Sequence, residues 1–246
     1  MCTAVLLDTV SIQRYIFGSN KLKENIGASH LIQWIFVDPL RKTIQEIFPE
    51  IPEDIFKDWE EEVPRYTVLK PKTPSQVETP FEVGYIGGGN ALLFFQDQKK
   101  AKAFVTQWTQ RLLVEAPGII TAVSIKDMND TDLWNEENKK SLFDGLSENK
   151  CKFIPQTIIP RHGVTALCQR SGYSQEVWYR DPEPTGPRYV SCVTASKLTA
   201  AKEANTKLIE NFEVILGDRF VFTDELDRLG QSKGEDSHIA IVHIDG

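Results

Sequence analysis

Two short groups of residues in this chain have the chemistry to meet a phosphorylated ligand. The first is Asp8, at the tip of the apolar run Thr3-Ala4-Val5-Leu6-Leu7. A carboxylate delivered by a buried strand can hold Mg²⁺, with phosphate oxygens and water completing the shell. The same carboxylate suits a helix cap, since a helical spacing opens near Val10–Ser11. Spacing by itself favours the cap. The second group is Gly87-Gly88-Gly89-Asn90. Glycine allows positive φ and lets backbone N–H groups approach a phosphate closely. A tight hairpin turn is satisfied by two such residues, so the third glycine points to a loop that faces a ligand.

A third set is Asn20, Lys21, Gly27 and Ser29. The Gly27-Ala28-Ser29 triplet leaves room for a purine or for the backbone of another helix, and the sequence does not choose between them. Thr9 and Ser11 follow Asp8 in the same turn and join it as candidate nucleotide contacts. There is no Ser-His-Asp, Cys-His or HExxH arrangement. His30 sits beside Ser29 on a helical stretch and reads as structural.

The elements that must position these groups follow from periodicity. Residues 3–8 are a short apolar strand, and Ile12, Tyr15 and Ile16 have helical spacing. A long helical pattern runs from about Lys21 to Phe48, with Pro39 as a kink or a new start. Residues 49–80 are Pro-rich and acidic and read as a surface excursion. The clearest hairpin pairs Phe81–Ile86 with Ala91–Phe95 around the glycine turn. A helix over Gln98–Glu115 carries Ala101, Phe104, Val105, Trp108 and Leu112 on one face. Pro117-Gly118 ends it, and Ile119–Ile125 is the next strand. This βαββαβ order predicts an α+β domain with a mixed sheet and helices on one face.

Beyond it, residues 130–150 suggest an amphipathic helix with Trp134, Leu142 and Phe143 inward. Residues 151–193 read as loop-rich, with short strands at Val164–Leu167 and Glu176–Tyr179. A helix over Ser196–Leu216 turns Leu198, Ala201, Ala204, Leu208 and Phe212 inward. After a polar linker, His238–Gly246 repeats the opening signature, an apolar strand ending in Asp245-Gly246. The chain therefore reads as one complete unit followed by the first strand of a second.

Composition narrows the function classes. The 246 residues are 41% apolar and 10% aromatic, enough for a real core. A net charge of -7 argues against a nonspecific nucleic-acid coat, which needs excess Lys and Arg. No run approaches the roughly 18–20 apolar residues of a membrane span, and no secretory signal opens the chain. A cytoplasmic protein with free thiols is the expectation. Cys2, Cys151, Cys168 and Cys192 are far apart, and a zinc site from Cys151, His162, Cys168 and Cys192 lacks finger spacing.

The motifs Asp8–Phe17, Asn20–Glu24, Gly27-Ala28-Ser29 and Gly87–Asn90 fall in an order that resembles the first palm domain of the large subunit of type III CRISPR effector complexes. That is the Cas-ten family, its Cmr-type members included. His243-Ile244-Asp245-Gly246 resembles the opening of the second palm, and Ala195-Ser196-Lys197 with Ala204-Asn205 resembles the joining helix. The resemblance implies a palm, a ferredoxin-like βαββαβ domain akin to nucleotidyl cyclase and GGDEF domains. Residues 3–128 would be the first palm, 129–194 an insert at the position of a degenerate zinc module, 195–236 the linking helix and linker, and 237–246 the start of the second palm.

In that family, paired palms bind ATP with Mg²⁺ or Mn²⁺ and make cyclic oligoadenylate in antiviral defence. The implied partners are ATP, the second palm, other effector subunits and the guide-RNA complex, and no membrane. Asp8 matches the first-strand metal position and Asp245 its counterpart in the second palm. The turn here ends in Asn90, a neutral residue, where a second acidic ligand would stand. This palm is therefore expected to shape a nucleotide pocket without a two-metal centre, and to be inactive alone. An HD nuclease is not expected, because the chain opens directly at the palm. If the zinc module has degenerated, Phe153, Ile158, Leu167 and Trp178 must pack the insert instead. Two other readings stand beside this one: a scaffold palm with no nucleotide role, and a stand-alone nucleotidyl cyclase relative.

Overall fold

The computed structural model describes residues 2–60, 65–70, 72–128, 135–152, 164–180, 186–217 and 222–223, with the side chains of 57–60 and 216 excepted. The expected strand at 237–246, with Asp245, lies outside them, as do His162, Trp134, Phe153 and Ile158.

The sequence opens on strand β1 (Cys2–Val10), followed by one turn of helix, α1 (Ile12–Ile16). The long helical pattern divides into α2 (Leu22–Trp34) and α3 (Asp38–Ile47). Pro39 stands in the first turn of α3, where its missing N–H costs nothing. At the break, the Ile35 carbonyl accepts the buried Trp108 indole N–H at 3.1 Å. Both groups would otherwise be buried unpaired.

The excursion is less detached than its composition suggests. A 3₁₀ turn (Glu53–Glu60) buries Ile55 and Phe56, and the Phe56 ring lies 6.3 Å from that of Phe81. Two-residue strands β2 (Tyr66–Thr67) and β3 (Val77–Glu78) pair in parallel beside it. The hairpin strands are β4 (Phe81–Gly87) and β5 (Asn90–Phe95). Helix α4 (Gln98–Glu115) is capped by Asp97, whose side chain accepts from the Lys99 amide at 2.7 Å. Strand β6 (Ile120–Met128) completes the sheet.

The four strands lie in the order β4-β5-β1-β6. Every neighbouring pair is antiparallel, so the expected mixed sheet is corrected. The two helical crossovers each skip one strand, β1 to β4 over β5 and β5 to β6 over β1. Strands joined that way point the same direction but never touch. The result is an α+β domain of ferredoxin-like order.

Helices also cover both faces, not one. Val5 and Leu7 of β1 face the main core with Leu31, Ile32, Leu93, Phe95, Phe104 and Trp108. Ala4 and Leu6 face the opposite side, where α5 (Glu136–Lys152) packs against β6 and β1, and Leu142 and Leu146 join a second cluster with Leu92 and Phe94. A central strand covered twice is buried on both faces, so Cys2 through Leu7 are all buried, and the one hydroxyl among them, on Thr3, donates to Asp127 at 2.7 Å. Phe143, expected inward, is exposed, and Leu146 takes that role.

Downstream, Leu167 bridges to Ser174, in place of the expected strand at 164–167. Strand β7 (Val177–Tyr179) pairs with β8 (Arg188–Val190). Ser191 caps α6 (Cys192–Leu216), its hydroxyl accepting from the Thr194 amide at 3.2 Å. Cys168, Tyr179, Val190 and Leu198 form this segment's core. Leu167 and Trp178, expected to do so, are exposed. On α6, Leu198 and Ala201 are buried as expected, while Phe212 is 41% exposed. No cluster of metal-ligating side chains forms among the described residues, and none of their helices is long and apolar enough to cross a membrane.

Candidate functional site

The antiparallel register brings the two main candidate groups together. Asp8 lies directly across from Asn90 in the β1–β5 ladder. The Thr9 amide donates to the Gly89 carbonyl at 2.9 Å, which ties the end of β1 to the turn. Gly88 and Gly89 are its two central residues, with φ of 59° and 84°. Positive φ at both is what a type I′ hairpin needs. Gly89 is also packed: a Cβ there would fall 2.6 Å from Ile12 Cδ1. Gly87 is different. Its φ is not positive, and a Cβ would meet nothing within 4 Å. The fold accounts for two of the three glycines, and Gly87 leaves open backbone at the edge of the turn.

Asp8 does not cap a helix. Strand β1 continues to Val10, and the residue before α1 is Ser11, exposed and in the left-handed region at φ 57°. The cap reading that spacing favoured is therefore corrected. Instead Asp8 Oδ2 sits 2.7 Å from Lys150 Nζ. Lys150 was not among the residues singled out, and the spacing of its helix accounts for its placement. Leu142, Leu146 and Lys150 recur every four residues, about 6 Å along a helix. Alternate strand residues advance about 6.8 Å. The stripe that sets two leucines on the Ala4 and Leu6 face thus carries Lys150 to Asp8. Asn149 pins the end of α5, its amide donating to the Val123 carbonyl at 2.7 Å. Tyr85 is nearby, its phenol pushed up by burial and then by the charge of Asp8.

Adjacent strand residues face opposite sides. Asp8 and Asn90 therefore share the α5 face, while Thr9 turns toward the main core, where its hydroxyl is buried with no hydrogen-bond partner. A ligand reaching both would have to lie across the end of the strand.

The remaining candidates lie elsewhere. Asn20 and Lys21 are exposed just before α2, and the Lys21 amide donates to Ser19 Oγ at 3.3 Å. Gly27 is buried under α6: a Cβ there would stand 1.8 Å from the Lys197 carbonyl oxygen and 2.9 Å from the Ala201 nitrogen. Of the two readings left open, the geometry gives Gly27 to helix–helix contact. Ser29 is exposed in a groove of about 640 Å³ between α2 and α6, with His30, Gln33, Trp34, Glu203 and Lys207. Burial, then Lys207, lowers the His30 pKa against the pull of Glu203.

The same helix contact holds a buried charged group. Glu24 is 1% exposed and pairs with Arg170 at 2.7 Å. Lys197 Nζ donates to the Tyr15 carbonyl at 2.5 Å and lies 4.2 Å above the Tyr15 ring. Burial lowers the Lys197 pKa, and Glu24 opposes that shift.

No protein-family profile matches this chain. No curated protein matches it either. Solved structures similar to it include type III CRISPR effectors. A Csm1–Csm4 cassette in complex with cA4 is 16% identical at a TM-score of 0.37, over 61% of this chain and 19% of that one. The cassette in complex with pppApApA is 15% identical at 0.39, over 77% and 24%. A cryo-EM structure of type III-B Cmr-beta in the apo state is 10% identical at 0.47, over 91% and 33%. The chain spans no more than 33% of the length of these three.

Proposed function

We propose that this chain is a nucleotide-binding, non-catalytic palm half of a type III CRISPR large subunit, whose parent makes cyclic oligoadenylate from ATP in antiviral defence. One observation carries the reading: Asp8 stands across the ladder from Asn90, and the open backbone of Gly87 lies at the same strand ends. That puts a carboxylate, a carboxamide and a turn bare of side chains at one edge of the sheet, a combination that leaves room for ribose and phosphate. Asn90 is neutral, so the pair of carboxylates needed for two-metal chemistry is not assembled there. Catalysis belongs to a second palm, with this one shaping the shared pocket. Mg²⁺ or Mn²⁺ would arrive on the ATP triphosphate. Other effector subunits and a guide-RNA complex in the cytoplasm are the partners this reading implies.

Calorimetry with MgATP tests it. Binding of millimolar or tighter affinity is expected, with no product formed. Gly88→Val forces a β-branched residue into positive φ and should abolish the heat. Gly88→Asn, which tolerates that conformation, should retain it. No heat from the unaltered chain at millimolar nucleotide contradicts the reading. A scaffold role gains weight from Gly27, whose surroundings are filled by α6 and not by a cavity.

A further inference from the structure

A metal at Asp8 is what a carboxylate at the tip of a palm strand would ordinarily imply, and the residues here do not fit one. Asp8 is the only carboxylate of the pair, because its cross-strand neighbour is Asn90. Its Oδ2 already has a cation, the Lys150 ammonium at 2.7 Å. Mg²⁺ binds carboxylate oxygen at about 2.0–2.1 Å and keeps an octahedral shell. Seated on Oδ2 it would crowd and repel that ammonium.

The Lys150 side chain is 39% exposed, but the helix that carries it is anchored. Leu142 is 0% and Leu146 5% exposed, and they fix the helix stripe that ends at Lys150. The Asn149 bond to Val123 holds the adjacent residue against β6. Asp8 itself is only 18% exposed. A partly buried pair on two anchored elements loses less to screening and side-chain entropy than an exposed one.

We propose that Lys150 is a resident cation that takes the place of a divalent metal at Asp8. The strand end then receives an anionic ligand, a nucleotide phosphate, with no metal bound to this chain. The ligand part rests on the nucleotide reading above; the exclusion of metal does not.

The test uses the whole chain labelled with ¹³C at aspartate carboxyls and titrated with Mn²⁺ alone, followed by paramagnetic broadening. The Asp8 signal of the unaltered chain should stay sharp. Lys150→Glu replaces the cation with a second carboxylate and should broaden that signal at Mn²⁺ concentrations about tenfold lower or less. Lys150→Arg keeps the charge and should behave like the unaltered chain. Thermal melts report whether each variant folds, and Lys150→Met, which keeps the apolar stem, replaces any that does not; its Asp8 signal should broaden at lower Mn²⁺ than that of the unaltered chain. Broadening in the unaltered chain overturns the proposal. So does an Asp8 signal that responds identically with and without the positive charge. In a second arm, the unaltered chain should bind ATP in EDTA within about twofold of its affinity in Mg²⁺, and Lys150→Met should weaken binding in EDTA about tenfold. If the unaltered chain binds no ATP at all, the nucleotide reading fails, and the Mn²⁺ arm still decides the proposal.

Discussion

Gly27 and Gly87 look alike in sequence, each following an isoleucine and opening a run of small residues with the makings of a ligand contact. In space they are opposites. Gly27 is buried, and the room a side chain would need is taken by the Lys197 carbonyl. Gly87 is exposed, in an ordinary conformation, with nothing within 4 Å of its missing Cβ. A glycine whose space is filled by protein serves packing. A glycine that neither packing nor φ requires is the one whose open backbone calls for another explanation. The α2–α6 contact is thus a structural joint, and the end of the β4–β5 hairpin is the candidate site.

The largest effect should come from the joint. Arg170→Met removes the ion-pair partner of buried Glu24 and leaves it only the charge of Lys197, a loss that approaches the roughly 3–5 kcal/mol of a stranded buried charge. Urea unfolding should read that loss. A change within error would mean that Lys197 balances Glu24 unaided.

Gly27→Ala places a methyl into the α6 backbone and should cost about 1–3 kcal/mol, as overpacking does. It should leave ATP affinity unaltered in whatever fraction stays folded. A selective loss of ATP binding at full stability would return Gly27 to the site and erase the contrast.

The joint should also respond to pH. Burial holds the Lys197 pKa below 10.5. Over the window between that depressed value and 10.5, the unfolded chain binds the proton more readily than the folded one. Stability should therefore rise with pH across that window. Lys197→Met should flatten the rise. A slope of the opposite sign would mean that Glu24, not burial, governs this lysine.

Gly87→Ala should be the smallest effect on stability, within about 0.5 kcal/mol, as at other unencumbered surface positions. It should nevertheless weaken ATP binding severalfold. Equal affinity in the variant would reduce the third glycine to an accident.

How much of this was legible follows from how local each signal is. Helix α4 was readable to its ends, because its apolar face lies within it and the Pro117-Gly118 stop lies just past its last turn. The hairpin was equally plain. The parity of the sheet was not, since it depends on which strand each crossover skips. Helix α5 shows the same limit. Leu142 and Phe143 are equally apolar neighbours, and only the sheet beneath decides that Leu142 and Leu146 go in. The fourfold spacing that carries Lys150 to Asp8 was visible as a stripe, but its target was not. Asp8 illustrates the converse. Its spacing suited a cap, and what removed that role was β1 running on to Val10.

The central claim is that the strand end bearing Asp8 and Gly87–Asn90 is where a nucleotide meets this chain. Backbone amide shifts recorded while ATP is added test it most directly. The account predicts that Thr9, Gly87, Gly88, Gly89 and Asn90 move together and saturably, while Gly27, Ala28 and the facing residues of α6 stay still. Shifts confined to α2 and α6, or none anywhere at millimolar ATP, would contradict it.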